Sequence, residues 1–275
     1  EVDNARTLLS MNIERQADGI RWSVADAIGR ITLDRPDKAN TIGVPQGAAF
    51  ALAVDEVLAA RPRVVLLTGT GKIFCAGGDL DAMTRPGVQT DEMVGRILDP
   101  FHPAVERLSR APIPVVCALN GAVGGAGVGL ALCGDTVITT ASMKLRTGYA
   151  AIALSPDAGA SYFLARRVGS ERAKQLFFYS EPIDSARCLD LGIVDAVHAD
   201  AEFAAATEAL VSRLAAAATG SMARIKQLCE GIDARSLHDH LALERRLLQE
   251  ASRQPDAAEG IRAFLEKRAP RFTGS

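Results

Sequence analysis

A glycine-rich stretch at residues 118–135 constrains the fold of this 275-residue chain more than any other segment. An apolar run ends at Asn120 and Gly121, and small or apolar residues resume from Gly127 to Cys133. This order predicts a strand, a tight turn and a helix. Because glycine lets backbones approach closely and the first N–H groups of a helix lack partners, the turn can serve an anion or a polarised carbonyl oxygen. It can equally be a packed, buried turn, and its spacing is not that of a nucleotide-binding loop.

A second turn of the same kind lies upstream. The apolar, β-branched run at residues 63–68 is followed by Gly69 and Gly71, and then by Gly77 and Gly78. If both turns aim a backbone N–H at one point, they form a two-donor hole that stabilises a developing oxyanion. The alternation of strands and helices along this region favours a parallel α/β sheet with right-handed crossovers.

Residues 74–80 together with residues 120–127 resemble the crotonase superfamily, the enoyl-CoA hydratase/isomerase family. Shorter matches occur at residues 34–40, 155–161, 166–169 and 264–268, so the resemblance runs from about Val24 to Phe272. It implies an α/β fold with a crotonase-type ββα spiral core in residues 1–200. It also implies a helical C-terminal region, residues 201–275, that supports a homotrimer or homohexamer. The first 10 to 20 residues have no clear period and are interpreted as an extension or a tag.

Composition narrows the possible partners. The formal charge of −2 gives no basic field for nucleic acid, and no run reaches the roughly 18 apolar residues of a membrane helix. We therefore expect a soluble, cytoplasmic protein. The five cysteines lack metal-ligand spacing and are expected to be buried free thiols, and the four histidines form no cluster. We expect no metal and no cofactor, with coenzyme A present as part of the substrate.

The resemblance implies which backbone groups would form the oxyanion hole. They are the N–H groups of Gly78 and Ala126, with Gly125 beside them in the substrate pocket. Preorganised donors of this kind lower the barrier by about 2.7–4 kcal/mol each.

The acid and base of the well-known hydratases are missing. Those enzymes use two glutamates, and the corresponding positions here are Gly129 and Tyr149. Adding water across a double bond needs a base for the water and an acid for the α-carbon. The two-glutamate mechanism is therefore unavailable to this chain.

Asp157 is the predicted replacement. A helix start is predicted at Ser155, which would be the N-cap, with Pro156 in the first helical position and Asp157 as an acid in the first turn. Asp157 can therefore be a helix-terminus residue without a catalytic role. The resemblance favours catalysis, because some relatives place a single aspartate here. It is the base of enoyl-CoA isomerases and the nucleophile of aryl-CoA dehalogenases such as the 4-chlorobenzoyl-CoA enzymes.

Two further residues follow from the same resemblance. His102 matches a histidine that activates water in the dehalogenase-like members, although isomerase-like members carry it without that role and its surroundings also suit a plain helix. Tyr149 stands where the dehalogenases carry an indole, and a wall of the acyl pocket is the alternative that we favour.

The resemblance also implies a coenzyme A site around the first glycine turn, with a lysine from an adjacent subunit, although either lysine can be a solvated surface residue. The residues are Lys38, Ala39, Ala76, Gly77, Asp79, Leu80 and Lys267. Residues 80–89 are expected to form part of a mobile wall.

These features together predict an enoyl-CoA isomerase in which Asp157 moves one proton. The alternatives are an enoyl-CoA hydratase, an aryl-CoA dehalogenase or hydrolase with Asp157 as nucleophile, and a non-catalytic acyl-CoA-binding subunit.

Overall fold

The computed structural model describes residues 12–274. Its strands are β1 (Ile13–Ala17), β2 (Ile20–Ala25), β3 (Ile28–Leu33), β4 (Val64–Gly69), β5 (Ile73–Cys75), β6 (Val115–Leu119), β7 (Ala122–Gly124), β8 (Thr136–Thr140), β9 (Lys144–Arg146), β10 (Ile183–Asp184) and β11 (Ala196–His198). Its α-helices are α1 (Val44–Ala59), α2 (Leu80–Met83), α3 (Thr90–Ser109), α4 (Gly127–Leu132), α5 (Ala160–Val168), α6 (Ser170–Tyr179), α7 (Ser185–Asp190), α8 (Phe203–Ala216), α9 (Thr219–Cys229), α10 (Leu237–Ser252) and α11 (Pro255–Leu265).

The strands form two sheets. The larger has seven strands in the order β1-β2-β3-β4-β6-β8-β11, antiparallel from β1 to β3 and parallel from β3 onward. The smaller has four strands in the order β10-β9-β7-β5. Its β9-β7 and β7-β5 pairs are parallel, and its β10-β9 pair is antiparallel. The chain passes from the large sheet to the small one at β4-β5, at β6-β7 and at β8-β9. This repeated step is the turn of a spiral, and it confirms the predicted crotonase-type fold.

The central strands of the large sheet are buried on both faces. In β4, Val65 and Leu67 join the main core with α1 and α3, whereas Val64 and Leu66 face a second cluster containing Phe203 of α8. Period-2 alternation therefore divides one apolar run between two cores, as expected for parallel strands covered on both sides. The C-terminal helices were all predicted, and α8 to α11 confirm the predicted helical tail.

The structure differs from two local predictions. Residues 13–17 pair with β2 as an edge strand, so the described part of the predicted extension belongs to the sheet; residues 1–11 lie outside the described residues. The predicted helix start at Ser155 is wrong, because α5 begins at Ala160. Ala158 and Gly159 have left-handed φ values of 51° and 77°, which interrupt helical geometry and leave Asp157 in a loop.

No helix within residues 12–274 is both long enough and apolar enough to cross a membrane.

Candidate active site

The two glycine turns meet because the strands before them are neighbours. Strands β5 and β7 pair in parallel, with Cys75 opposite Val123. At Gly77, φ is +107°, and an added Cβ would lie 3.1 Å from the Gly124 oxygen and 3.2 Å from the Ala126 nitrogen. A side chain there would be strained and crowded, so glycine is what permits the turns to touch.

The backbone around Gly78 is fixed by a short bridge to Ile42. The Ile42 N–H donates to the Gly77 oxygen at 2.8 Å, and the Asp79 N–H donates to the Ile42 oxygen at 3.0 Å. Within residues 12–274, no acceptor takes the N–H of Gly78 or that of Ala126, the residue before α4. Both residues line one cavity. The site therefore offers two unpaired backbone donors, as an oxyanion hole requires.

The rest of this cavity is apolar except for one group. Asp157 is the only ionisable side chain that lines it in the described part of the chain. Its apolar lining comes from Met83 of α2, within the segment predicted as a wall, and from two places that were not predicted, the bridge residue Ile42 and one face of α3. The α3 residues are Val94, Ile97, Leu98 and Phe101. Their helical spacing is the signal that could have identified this wall.

Asp157 is half-buried and is bound by Tyr149. The Tyr149 hydroxyl donates to Asp157 Oδ1 at 2.6 Å, and the Asp157 N–H donates back to the hydroxyl oxygen at 3.4 Å. Tyr149 is 6% exposed and packs against the Phe177 ring. Burial, and then the charge of Asp157, raise the pKa of Tyr149 well above its ordinary value. The phenol therefore remains a proton donor to the carboxylate.

His102 supports the same loop from another side. Its Nε2 accepts the Ala158 N–H at 3.1 Å, and Ala158 itself is buried. The imidazole lines a separate, larger groove between α3, α5 and α9, and is not part of the Asp157 cavity. The structure thus places His102 behind the loop, with its Nε2 lone pair engaged.

The first missing glutamate position has no space for a side chain. A Cβ added to Gly129 would lie 2.1 Å from the Ala158 oxygen, because α4 packs directly against the Asp157 loop. At the second position, Tyr149 contacts Asp157. Both substitutions relative to the hydratase pattern therefore belong to the packing that presents Asp157.

The thiol of Cys75, directly before the first pair of turn glycines, is buried and stays protonated. Burial raises the pKa of Cys75, at the end of β5, to about 12, with a smaller contribution from the Asp157 charge. All five cysteines are free, four of them buried as predicted, while Cys229 is exposed. No group of three or more His, Cys, Asp or Glu residues in the described ranges could hold a metal ion.

Except for Lys267, the positions implied for coenzyme A lie at or near the first glycine turn, within residues 38–39 and 76–80, and these two segments are called the rim. The Ala76 N–H donates to the Ala39 oxygen at 3.0 Å, and the Asp79 carboxylate caps α2 by accepting the Ala82 N–H. Lys38 and Leu80 are exposed next to this contact. Lys267 is exposed directly after α11. Gly125, with φ +48°, donates its N–H to the backbone oxygen of Arg146 and closes the second turn.

In this spiral α/β core, two unpaired backbone donors and one carboxylate line the same cavity, an arrangement that suits chemistry at a polarised carbonyl. The family model for enoyl-CoA hydratase/isomerase matches residues 23–275. The chain belongs to the enoyl-CoA hydratase/isomerase family, and is an enzyme of that family.

Named relatives include both activities. The chain is 34% identical to the 1,2-epoxyphenylacetyl-CoA isomerase of Escherichia coli K12, over 91% of this chain and 97% of that protein. An enoyl-CoA hydratase structure from Polaromonas sp. JS666 matches with a TM-score of 0.85 and 30% identity, over 92% and 98% of the two chains. A protein from Thermobifida fusca YX assigned as an enoyl-CoA hydratase, solved in complex with CoA, matches with a TM-score of 0.78 and 28% identity, over 85% and 92%.

Proposed function

We propose that this enzyme is an enoyl-CoA isomerase that moves a double bond with Asp157 as its one base. The observation that carries the proposal is the cavity that Asp157 shares with Gly78 and Ala126, in which no second ionisable side chain is present among residues 12–274. Isomerisation consumes no water, so one carboxylate can remove a proton and return it.

The proposed reaction has two proton transfers. Asp157 takes a proton from the α-carbon of a 3-enoyl thioester, and the electron pair of that C–H bond moves into a dienolate. The N–H groups of Gly78 and Ala126 stabilise the negative charge on the thioester oxygen. Asp157 then gives the proton to the γ-carbon, which leaves a 2-enoyl thioester and an ionised carboxylate.

We further propose that coenzyme A binds along the rim formed by residues 38–39 and 76–80, with Lys38 and a partner subunit's Lys267 near its phosphates. Large apolar side chains on the C-terminal helices support a homotrimer or homohexamer, since Phe264 is 84% exposed and Leu265 is 74% exposed. A cytoplasmic location without nucleic-acid or membrane partners completes the proposal.

The alternatives have less support from the site. A dehalogenase or hydrolase would need His102 to activate water, but its Nε2 accepts the Ala158 N–H. A hydratase would need a second acid or base in the cavity. A non-catalytic acyl-CoA-binding subunit would not require a carboxylate beside the two donors.

The test compares the wild type with Asp157→Asn on a 3-enoyl-CoA and on a 2-enoyl-CoA in deuterated water, with products identified by mass. We expect double-bond migration in the wild type, and a loss of about 10²–10⁴-fold in the variant. Water addition that survives the substitution would support a hydratase and contradict the proposal. Binding of CoA thioesters without turnover would support the non-catalytic alternative.

A further inference from the structure

The hydrogen bond between Tyr149 and Asp157 engages one oxygen of the proposed base and not the other. Oδ1 accepts the phenol proton at 2.6 Å, a distance typical of a charge-assisted O–H···O⁻ bond. No hydrogen bond from residues 12–274 reaches Oδ2. The two carboxylate oxygens are therefore inequivalent before any substrate binds.

We propose that Tyr149 is a positioning residue that directs the transferred proton to Oδ2 of Asp157 and keeps it there between the two transfer steps. This inference rests on the proposed isomerase function and deepens it. When the α C–H bond breaks, the proton forms an O–H bond with the oxygen that is not already accepting from Tyr149. The same O–H bond then breaks as the γ C–H bond forms, so the carboxyl group has the same hydrogen-bonding pattern before and after turnover.

The surroundings of Tyr149 suit this role. The ring is 6% exposed and its centroid lies 6.1 Å from that of Phe177, so the hydroxyl cannot swing into solvent without repacking a buried ring. The raised pKa of Tyr149 keeps the phenol protonated, so it donates to Asp157 in both steps. The return bond from the Asp157 N–H fixes the hydroxyl oxygen against the backbone of the loop.

A fixed carboxyl group has a measurable consequence. If Oδ1 is engaged, the acquired proton sits on Oδ2, the oxygen without a partner among residues 12–274, and transfer to the γ-carbon competes well with exchange into water. If the hydroxyl is removed, the half-buried carboxyl group can rotate and expose its proton. A substrate with deuterium on the α-carbon, turned over in ordinary water, reports this competition through the deuterium that reaches the γ-carbon.

The experiment measures that retained deuterium, together with kcat and KM, in the wild type, in Tyr149→Phe and in Phe177→Leu. Tyr149→Phe keeps the ring and removes the hydroxyl, whereas Phe177→Leu disturbs the packing and keeps the hydroxyl. We expect Tyr149→Phe to lower kcat by about tenfold to a hundredfold with little change in KM, and to reduce the retained deuterium, because the base is no longer oriented. Phe177→Leu should retain deuterium as the wild type does, because the Asp157 N–H still holds the Tyr149 hydroxyl oxygen.

Other outcomes overturn the inference or the function separately. Retained deuterium that is equal in the wild type and Tyr149→Phe, whether or not kcat falls, would overturn the positioning role. If the wild type moves no double bond, the proposed function fails, and proton NMR then tests the contact alone. A far-downfield hydroxyl resonance that is lost in both Tyr149→Phe and Asp157→Asn would support the contact, and its absence from the wild type would overturn it.

Discussion

The glycine turns and the Asp157 loop line one cavity and are built in different ways. The turns contribute main-chain N–H groups, and their positions follow from the pairing of β5 with β7 and from the bridge at Ile42. The loop contributes a side chain, and it has no regular structure between residues 153 and 159. The backbone donors are therefore fixed by strand pairing and by the Ile42 bridge, whereas the proposed base is fixed by contacts from separate elements.

Those contacts are few and specific. Tyr149 binds the carboxylate, His102 of α3 accepts the Ala158 N–H, and Gly129 of α4 allows the loop to pack closely. The position of a backbone N–H changes little when side chains are substituted. The position of a side-chain carboxylate held by Tyr149, His102 and Gly129 depends on each of these contacts. The chemistry of this family member is therefore expected to be most sensitive at the loop, and its oxyanion stabilisation most sensitive to changes in the backbone.

Among changes that leave Asp157 in place, the largest effect is expected from removing a backbone donor. Gly78→Pro deletes the N–H and should lower kcat by about 10²–10³-fold. Gly78→Ala keeps the N–H, and its Cβ would meet only the flexible end of Met83 at 3.2 Å, so kcat should fall far less. Steady-state kinetics on folded protein, verified by circular dichroism, measures the difference. Equal activity in the proline variant and the wild type would mean that Gly78 is not a donor.

A smaller effect is expected from disturbing the support of the loop. Gly129→Ala places a Cβ 2.1 Å from the Ala158 oxygen, so the loop must move. We expect a destabilisation of about 1–3 kcal/mol and a loss of up to about 100-fold in kcat as Asp157 is displaced. By the same packing, Gly129→Glu should not restore a hydratase.

The matched control is Gly95→Ala, in α3, where an added Cβ meets nothing within 4 Å. It should raise the free energy of unfolding by about 0.5–1 kcal/mol, since alanine is the better helix former, and leave kcat unchanged. Chemical unfolding and kinetics on the two variants provide the comparison. If Gly129→Ala and Gly95→Ala changed the free energy of unfolding and kcat in the same way, the close packing of α4 against the Asp157 loop would be contradicted.

The last effect concerns alkaline pH and the buried thiol of Cys75, at the end of β5. The pKa of Cys75 is about 12 in the folded chain against an ordinary 9.0, so the unfolded chain loses this proton first. Stability from this thiol is fully present below pH 9 and decreases by about 1.4 kcal/mol per pH unit as pH rises toward 12.

Unfolding by denaturant at pH 8 and pH 10 tests this prediction. Cys75→Ala should show a shallower decrease in the free energy of unfolding than the wild type, and the exposed Cys229→Ala should keep the wild-type slope. An unchanged slope in Cys75→Ala would mean that the thiol is not buried as the structure has it.

Much of the fold could be predicted from the sequence because its signals are local. The apolar run at residues 63–68 became β4, and the strand, turn and helix predicted within residues 118–135 became β6, the second glycine turn and α4. The first strand, Ile13–Ala17, was not predicted because it is a short edge strand whose burial pattern does not alternate clearly. The helix start at Ser155 was predicted from sound capping chemistry, but Ala158 adopts a left-handed conformation that residue type disfavours.

By itself, the sequence determined the two glycine-rich segments and the residues that stand at positions 129, 149 and 157, because residue identity alone decides each of these. The tertiary structure decided that Tyr149 donates to Asp157, that His102 lies behind the loop and that Gly129 has no space for a side chain. Each of these contacts joins residues on different elements. The two hydrogen bonds join residues 8 and 56 positions apart in the chain, so their geometry depends on how the elements pack. Side-chain position across packed elements has no local signal in the chain, and only the assembled fold provides it.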